Sequence, residues 1–478
     1  MKLSDYTTFD GLGLADLVRK REVTPAELLE CASMALSQVN PDLNAVIRSL
    51  RDDAEQALRA GLPEGPFTGV PFLVKDLSLL TAGAPTGMGA RLFQRFVAPV
   101  DSEQMARFRR AGLVTFGKTS TSELGLNVVT EPRAHGPTRN PWRTDLSPGG
   151  SSGGSGAAVA ARIVPLAHGT DAAGSIRIPA SCCGLFGLKP TRGRNPAGPL
   201  EGEQLAGLAA EHVLTRSVRD SAAMLDVTAG ADPGAPYTVP PPARSFLEET
   251  RTPPGKLRIA FMEEPLNGVP VSDACQQALR RTLTLCEELG HELVPARPQV
   301  DAAQLRAVFN LIPAFTAYTL DMVAPMYGLE AGPETVEATT LALLAAGRRM
   351  SAAEVFAAFA LRDQISRTVG HFFTRFDVLL SPTLAAPPLP LGTLDANDPT
   401  YDGFGWMDRL FTAVPFTPLA NVTGDPAMSV PLHVSEDGLP IGVHFEARQG
   451  DEATLFRLAA QLEEAAPWAS RRPGICAG

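Results

Sequence analysis

A run of eight residues made only of glycine and serine, residues 149–156, constrains this chain more than any other feature. Such a run supplies no apolar side chains to a core, and its glycines allow positive φ angles and close approach of the backbone. Each serine adds a hydroxyl that donates one hydrogen bond and accepts two. The run is therefore either a flexible linker or a loop built around chemistry.

The residues after the run argue against a linker. Flexible linkers join autonomous segments and continue into polar sequence, whereas residues 157–161 predict a buried helix and residues 163–167 are again apolar. A Gly/Ser loop that leads directly into an apolar helix aims its backbone N–H groups at a ligand or a reacting group. We therefore interpret residues 149–156 as a functional loop.

Two known glycine-rich motifs fit this loop poorly. A phosphate-binding P-loop closes with Gly-Lys-Ser or Gly-Lys-Thr, which is missing here. The nucleophile elbow Gly-x-Ser-x-Gly matches formally, with Ser152 as the nucleophile. That elbow follows a buried strand, but residues 137–148 are rich in proline, arginine and aspartate. We interpret the elbow match as accidental.

A candidate base lies upstream of the loop. Residues 69–76 read Gly-Val-Pro-Phe-Leu-Val-Lys-Asp, so Lys75 ends a short apolar run. Burial at the end of a strand disfavours the charged form of a lysine and lowers its pKa. A neutral amine can accept a proton from a serine, as in the Ser–Lys variants of the catalytic triad.

Three motifs, in this order, resemble the amidase signature family. They are Gly-x-Pro-x-x-x-Lys-Asp over residues 69–76, the Gly/Ser run, and Gly-Thr-Asp-x-x-Gly-Ser-Ile-Arg over residues 169–177. Further matching segments lie at residues 140–142, 187–193, 423–427 and 438–442, so the resemblance spans most of the chain. Members of this family hydrolyse carbon–nitrogen amide bonds with a Ser–cis-Ser–Lys triad.

The resemblance implies three catalytic residues. Lys75 matches the base, Ser151 the bridging serine that follows a cis peptide, and Ser175 the nucleophile. Ser175 would attack the amide carbonyl and form an acyl-enzyme. Ser151 would pass the proton of Ser175 to Lys75 and then return it to the departing nitrogen.

The residues before Ser175 are expected to support this chemistry. By the resemblance, the backbone N–H groups of Ala172, Ala173 and Gly174 would stabilise the oxyanion. Ala172 and Ala173 replace the Ile-Gly that is commoner in the family, which narrows the resemblance to a subgroup. Asp171 and Arg177 would hold the loop by hydrogen bonds.

Substrate and assembly are expected from the same resemblance. Residues 138–142 and 171–175 resemble a subgroup acting on linear or cyclic amides, such as the cyclic dimer of 6-aminohexanoate. One alternative is the A subunit of a tRNA-dependent glutamine amidotransferase, which uses the same triad with partner subunits. The other is a catalytically silent binding protein. The complete triad argues against the second alternative, and the subgroup motifs argue against the first.

The fold class follows from the order of predicted elements. Strand and helix patterns alternate over residues 67–191, which predicts an α/β fold with a sheet buried on both faces. The resemblance implies that this mostly buried central sheet is mixed and covered by helices on both faces. The family motifs continue without an obvious linker, so we expect a single domain, 1–478. It would include an N-terminal helical arm, about 1–60, and a variable helical region, about 301–373. Residues 401–406 predict an aromatic loop at the surface or lining the pocket.

Composition limits the partners. The net charge of −10 gives no general attraction to nucleic acid or anionic membranes. No uncharged apolar run approaches the length of a transmembrane helix, and the N-terminus lacks an apolar signal segment. We therefore expect no nucleic-acid or membrane partner. The resemblance implies a small-molecule amide substrate, and we take a homodimer as the candidate assembly.

Cysteine and histidine spacing bears on compartment and cofactors. The six cysteines contain no Cys-x-x-Cys spacing, which is typical of reduced thiols in a cytoplasmic protein. The seven histidines contain no His-x-x-x-His spacing, so we expect no metal and no other cofactor. His168 is expected to be structural. His444 stands where many family members have glutamine.

Overall fold

An eleven-stranded mixed sheet runs through the molecule, in the order β1-β3-β2-β4-β6-β5-β10-β11-β9-β7-β8. The computed structural model describes residues 1–478. The strands are β1 (Val46–Ser49), β2 (Pro71–Lys75), β3 (Val114–Thr119), β4 (Leu166–Asp171), β5 (Phe186–Lys189), β6 (Ala210–Thr215), β7 (Arg258–Phe261), β8 (Glu292–Pro295), β9 (Val378–Pro382), β10 (Ala427–Val434) and β11 (Pro440–Ala447).

The pairing of the strands confirms the predicted mixed sheet. Strand β2 runs parallel to β3 and β4, and β7 runs parallel to β8 and β9. Strand β4 runs antiparallel to β6, and the β10–β11 hairpin runs antiparallel to β5 on one side and β9 on the other. Every residue of β2, β4 and β5 is buried, as expected for strands covered on both faces.

Helices cover both faces of the sheet. They are α1 (Leu3–Tyr6), α2 (Gly11–Arg19), α3 (Pro25–Leu43), α4 (Arg51–Ala60), α5 (Glu103–Arg110), α6 (Gly153–Ala160), α7 (Arg177–Cys183), α8 (Val218–Thr228), α9 (Phe246–Glu249), α10 (Asp273–Glu288), α11 (Ala302–Val308), α12 (Leu311–Tyr318), α13 (Ala338–Arg349), α14 (Ala352–Phe372), α15 (Gly403–Ala413), α16 (Pro418–Thr423) and α17 (Glu452–Ala465). Capping boxes, in which Thr24 pairs with Glu27 and Ser351 with Glu354, fix the starts of α3 and α14.

The N-terminal arm is not purely helical. Besides α1 to α4 it contains β1, which pairs antiparallel with β3 and forms one edge of the sheet. The region 301–373 is helical, as the pattern predicts, and consists of α11 to α14 with a π-helix at Thr319–Val323 and a 3₁₀ turn at Ala324–Tyr327. The N-terminal arm therefore joins the sheet that carries the motifs, whereas the helices of region 301–373 pack mainly on one another and on α15 and α16.

The predicted aromatic loop at residues 401–406 is wrong, because most of it begins a helix. Helix α15 starts at Gly403, and the Asp402 side chain caps it by accepting from the Gly405 N–H. Trp406 is buried, and its indole N–H donates to the Leu126 carbonyl over 3.2 Å. Burial of this large aromatic side chain and the cap outweigh the low helix propensity of the two glycines.

One helical run, Ala302–Tyr327, is long and apolar enough by composition alone to cross a membrane. Within its most apolar stretch, 44% is buried against the rest of the chain. Helices of this composition also occur in the cores of soluble proteins, so the expectation of no membrane partner stays a prediction.

Candidate active site

Lys75 lies at the end of β2, near the middle of the first half of the sheet, and is completely buried. Its Nζ is 2.7 Å from Ser151 Oγ and 2.7 Å from Thr170 Oγ1. Thr170 reaches it from β4, because β4 runs parallel to β2 with Ala167 opposite Leu73. Two hydroxyls from different parts of the chain therefore meet at the one lysine nitrogen.

Burial lowers the pKa of Lys75 to about 7, although the negative charges of Asp171 and Glu211 oppose this shift. An ordinary lysine holds its proton until far more alkaline pH. Near neutral pH a large share of this amine is therefore uncharged, and its lone pair can accept a proton from a hydroxyl.

Ser151 occupies a tightly packed bend of the Gly/Ser loop. The Gly150–Ser151 peptide bond is cis. A side chain at Gly150 would collide with the backbone of Val129, and one at Gly154 would collide with the backbone of Ser120. The glycines are therefore required by close approach of neighbouring chain segments, and Ser151 is held with its hydroxyl against Lys75.

Ser175 lies on the short loop between β4 and α7, and only 6% of it is exposed. Its carbonyl oxygen accepts from the Ser152 N–H over 3.3 Å. Its hydroxyl has no hydrogen-bond partner in the chain, whereas the Ser151 hydroxyl is joined to Lys75. The structure thus brings Lys75 and Ser151 together and leaves the hydroxyl of Ser175 without a direct hydrogen bond to either.

The backbone N–H groups of the Ser175 loop divide into engaged and free donors. The Gly174 N–H donates to Asp171 Oδ1 over 2.8 Å, so, in contrast to the prediction, it is not available to an oxyanion in this structure. The N–H groups of Ala172, Ala173 and Ser175 have no acceptor within the chain. These three groups are the free donors next to the Ser175 hydroxyl.

A buried ion pair holds this loop. Arg177 donates from Nε to Asp171 Oδ2 and from Nη2 to Asp171 Oδ1, each over 2.9 Å, and both side chains are fully buried. Burial alone would raise the pKa of Asp171, but the adjacent Arg177 guanidinium holds it below its usual value. Paired donation of this kind fixes geometry as well as charge. Asp171 and Arg177 therefore bond each other at the two ends of this loop, and their supporting role in catalysis stays a prediction.

Two distant residues complete this ion pair: no sequence pattern indicated Asn421, whereas the resemblance marked His444 as a departure from the usual glutamine. Arg177 Nη2 donates to Asn421 Oδ1 over 2.7 Å, and the Asn421 amide donates to the Asp171 carbonyl over 2.9 Å. Arg177 Nη1 lies 2.8 Å from His444 Nε2. Because a guanidinium only donates, Nε2 of His444 accepts, and the ring is neutral with its proton on Nδ1. Burial and the Arg177 charge accordingly lower the pKa of His444 well below its usual value.

Two cavities adjoin these elements. An apolar cavity is lined in part by Val129, Gly149, Ile178, Leu384 and Val414. It adjoins both the Gly/Ser loop and the start of α7. A more polar cavity is lined in part by Arg192, Glu203, Gln204, Glu211 and Tyr237. The apolar cavity therefore borders both motifs, whereas the polar cavity reaches β6 at Glu211.

Comparison with known proteins gives the class of this chain. The amidase family model matches residues 27–456. The 6-aminohexanoate-cyclic-dimer hydrolase of Paenarthrobacter ureafaciens is 38% identical over 482 residues, which cover 98% of this chain and 96% of that protein. These matches define an enzyme that hydrolyses amide bonds. The chain belongs to the amidase family.

Solved structures agree in fold. A 6-aminohexanoate cyclic dimer hydrolase complexed with substrate has a TM-score of 0.93 and 36% identity, covering 98% of this chain and 99% of that chain. The A subunit of the glutamyl-tRNA(Gln) amidotransferase from Thermotoga maritima has a TM-score of 0.74 and 25% identity, covering 100% of this chain and 97% of that chain. The α/β architecture is therefore shared along the whole length of both relatives.

Proposed function

We propose that this amidase hydrolyses small linear or cyclic amides through an acyl-enzyme on Ser175, with Ser151 and Lys75 relaying the proton. The observation that carries the proposal is the 2.7 Å hydrogen bond between Lys75 Nζ and Ser151 Oγ inside a buried site. A lysine whose pKa lies near 7 needs little free energy to become the neutral base that this relay requires.

The proposed reaction has two halves. In the first, Ser175 Oγ attacks the amide carbonyl carbon while its proton passes to Ser151, whose own proton moves to Lys75 Nζ. The tetrahedral intermediate then breaks its carbon–nitrogen bond, and the relay returns the proton to the leaving nitrogen. In the second half, water attacks the Ser175 ester, delivers a proton through the same relay and releases the carboxylate.

The oxyanion of the tetrahedral intermediate needs donors that are already in place. In the proposed mechanism these are the unengaged N–H groups of Ala172, Ala173 and Ser175. Gly174 contributes indirectly, because its bond to Asp171 fixes the turn that exposes its neighbours. Donors fixed before the reaction stabilise developing charge without reorganisation.

The substrate class is proposed from similarity and from the cavity. One relative with 38% identity is a 6-aminohexanoate-cyclic-dimer hydrolase. That cyclic dimer carries methylene chains and no charge, which suits the apolar cavity next to Gly149 and Ile178. We therefore propose uncharged aliphatic amides, linear or cyclic, as the preferred substrates.

One alternative function has a specific observation in its favour. The chain shares its fold with the A subunit of a glutamyl-tRNA(Gln) amidotransferase at 25% identity. This function would require partner subunits, with glutamine as the amide donor. The higher identity to the cyclic-dimer hydrolase favours a free-standing enzyme.

The test is turnover of a small panel by the purified protein. The panel contains 6-aminohexanoate cyclic dimer, short aliphatic amides, aromatic amides and glutamine. Ser175→Ala is expected to abolish hydrolysis. The control is Ser152→Ala, which removes the neighbouring hydroxyl that donates to the Thr170 carbonyl over 3.2 Å. Loss of hydrolysis in Ser152→Ala with retention in Ser175→Ala would instead support the nucleophile-elbow arrangement, and turnover of glutamine alone would support the amidotransferase.

We further propose a cytoplasmic enzyme that acts without a metal or other cofactor. All six cysteines are free thiols, which suits a reducing compartment. No group of three or more His, Cys, Asp or Glu side chains is arranged to hold a metal ion. The homodimer stays a prediction that light scattering of the purified protein would test.

A further inference from the structure

A buried histidine and a buried glutamate lie behind the proposed base. Glu211 on β6 is directly opposite Thr170 on β4, and His168 lies two residues before Thr170. Opposed residues of antiparallel strands, and residues two apart on one strand, share a face of the sheet. His168 and Glu211 therefore lie on the same face as the Thr170 hydroxyl that binds Lys75 Nζ.

The contacts of His168 link the glutamate to the backbone of Lys75. The Lys75 N–H donates to His168 Nδ1 over 3.4 Å, so Nδ1 accepts and the ring proton lies on Nε2. Nε2 is 3.5 Å from Glu211 Oε2. The imidazole thus presents its N–H side to the carboxylate and its lone pair to the strand that carries the lysine.

Glu211 is kept as an anion by its own hydrogen bonds. Its Oε1 accepts from Ser78 Oγ over 2.6 Å and from Gln204 Nε2 over 2.8 Å. Burial alone would raise the pKa of Glu211, but His168, Ser78 and Gln204 hold it below its usual value.

Two buried carboxylates act on the charge of Lys75, and they differ in their partners. Asp171 is paired with Arg177. Glu211 has no lysine or arginine partner, and its nearest basic side chain is His168, 3.5 Å away. The negative charge of Glu211 is therefore less compensated than that of Asp171.

We propose that Glu211, acting with His168, is a positioning residue that fixes the Lys75 strand and places a negative charge on the face of the sheet that holds the Lys75 amine. This inference rests on the proposed function, in which Lys75 is the base. A base held only by burial would be a weak proton acceptor. The uncompensated carboxylate offsets part of that effect, so that Lys75 is still basic enough to deprotonate the serine relay.

The test uses a fluorophosphonate, which labels Ser175 without depending on the natural substrate. Ser175 Oγ forms a bond to phosphorus, fluoride leaves, and the proton passes to the relay. The rate is measured against pH for the wild-type protein, Glu211→Gln and Glu211→Asp. Glu203→Gln is the matched control, because Glu203 lines the same cavity but bonds Tyr237 instead of His168.

Glu211→Gln removes a negative charge that favours the protonated amine, so Lys75 should lose its proton at lower pH. We expect the acid limb of the profile to move down by about one pH unit, with labelling about tenfold faster well below the limb. Glu211→Asp and Glu203→Gln should keep the wild-type midpoint. A folded Glu211→Gln protein with an unchanged midpoint would overturn the inference.

Two further measurements distinguish a wrong role for Glu211 from misfolding of the variant and from a wrong role for Lys75. If Glu211→Gln does not fold, Glu211→Ala replaces it, since water from the adjoining cavity can fill the truncated position. It is expected to move the limb in the same direction, and an unmoved limb would again overturn the inference. Wild-type labelling that has no acid limb, or that survives Lys75→Met, would contradict the proposed role of Lys75 itself.

Discussion

The nitrogen of Lys75 is fixed by Thr170, whose Oγ1 lies 2.7 Å from Nζ. A neutral amine has two N–H groups and one lone pair. Donation to Thr170 therefore restricts the rotation of the amine and leaves its lone pair free to face Ser151 Oγ, also 2.7 Å away. The contact with Thr170 therefore orients the Lys75 amine toward Ser151, which burial alone would not do.

Thr170→Val tests that contact, because valine keeps the shape of threonine and removes the hydroxyl. Loss of one buried hydrogen bond to the base is expected to lower kcat/KM by about tenfold, or about 1.4 kcal/mol of transition-state free energy. KM should change little, because the hydroxyl contacts the base and not the substrate. Thr170→Ser is the conservative control and should retain most of the activity. Equal losses in the two variants would contradict the role given to the hydroxyl.

The pH dependence of hydrolysis should report Lys75. Burial lowers the pKa of Lys75 to about 7, and only the neutral amine accepts the serine proton. Activity is therefore expected to rise as pH increases through about 7 and then to level off. Initial rates between about pH 5 and pH 9, at saturating and at low substrate, give this profile.

A matched pair of variants tests whether Lys75 causes the rise in activity near pH 7, the acid limb of the profile. Lys75→Met is expected to reduce kcat by a factor of about 10² to 10⁴ and to remove the acid limb. The control is Lys189→Met, because burial also lowers the pKa of Lys189 to about 7 although its Nζ donates to the Pro190 carbonyl. A limb that persists in Lys75→Met and disappears in Lys189→Met would contradict the assignment to Lys75.

Much of the site could be predicted because its parts lie in short contiguous motifs. Lys75 ends a strand whose apolar residues indicate its burial, and Asp171 and Arg177 stand six residues apart in one segment. Because Asp171 and Arg177 are close in sequence, the local backbone geometry brings them together independently of distant segments. The α/β layering followed in the same way from alternating strand and helix patterns, whereas the mixed strand directions were expected from the family resemblance.

The contacts that could not be predicted join distant segments. His444 on β11 and Asn421 on α16 reach Arg177 from more than 240 positions along the chain. The engagement of the Gly174 N–H depends on the rotamer of Asp171, which Arg177 and Asn421 set. Trp406 is buried under Leu126, and that tertiary contact decides that the segment is helical. No periodicity in a single sequence encodes such pairings.

Gly174→Ala should damage the nucleophile loop. Gly174 has a φ of +127°, which side chains other than glycine rarely adopt, and an added Cβ would collide with Thr417 Oγ1 and Ile178. We expect the variant to lose about 2–4 kcal/mol of unfolding free energy and nearly all activity. Denaturant unfolding and turnover measure the two effects.

Gly392→Ala is the control for backbone strain without collision. Gly392 also has a positive φ, +81°, but nothing lies within 4 Å of an added Cβ. Its expected cost is about 1 kcal/mol, with activity retained. If the two variants were equally stable, the collision with Thr417 would have no energetic role.

His444 should make the protein sensitive to acid. Its pKa is held well below 6.5, first by burial and then by Arg177, whose Nη1 lies 2.8 Å from Nε2. A folded-state pKa that is depressed contributes stability above the unfolded value, and this stability is lost as pH falls below about 6.5. Protonation in the folded state would place two cations in contact, so the unfolded chain binds the proton first.

The measurement is the free energy of unfolding at about pH 7 and about pH 5 for wild type and His444→Gln. Glutamine can accept from Arg177 without titrating, so the variant should lose about 2 kcal/mol less than wild type between these pH values. His212 and His433, whose pKa values burial lowers to about 3 and about 4, contribute equally to both proteins and cancel. His371→Gln, at an exposed position, should behave like wild type. If His444→Gln and wild type lost the same unfolding free energy between these two pH values, His444 would have to accept a proton in the folded state at little cost.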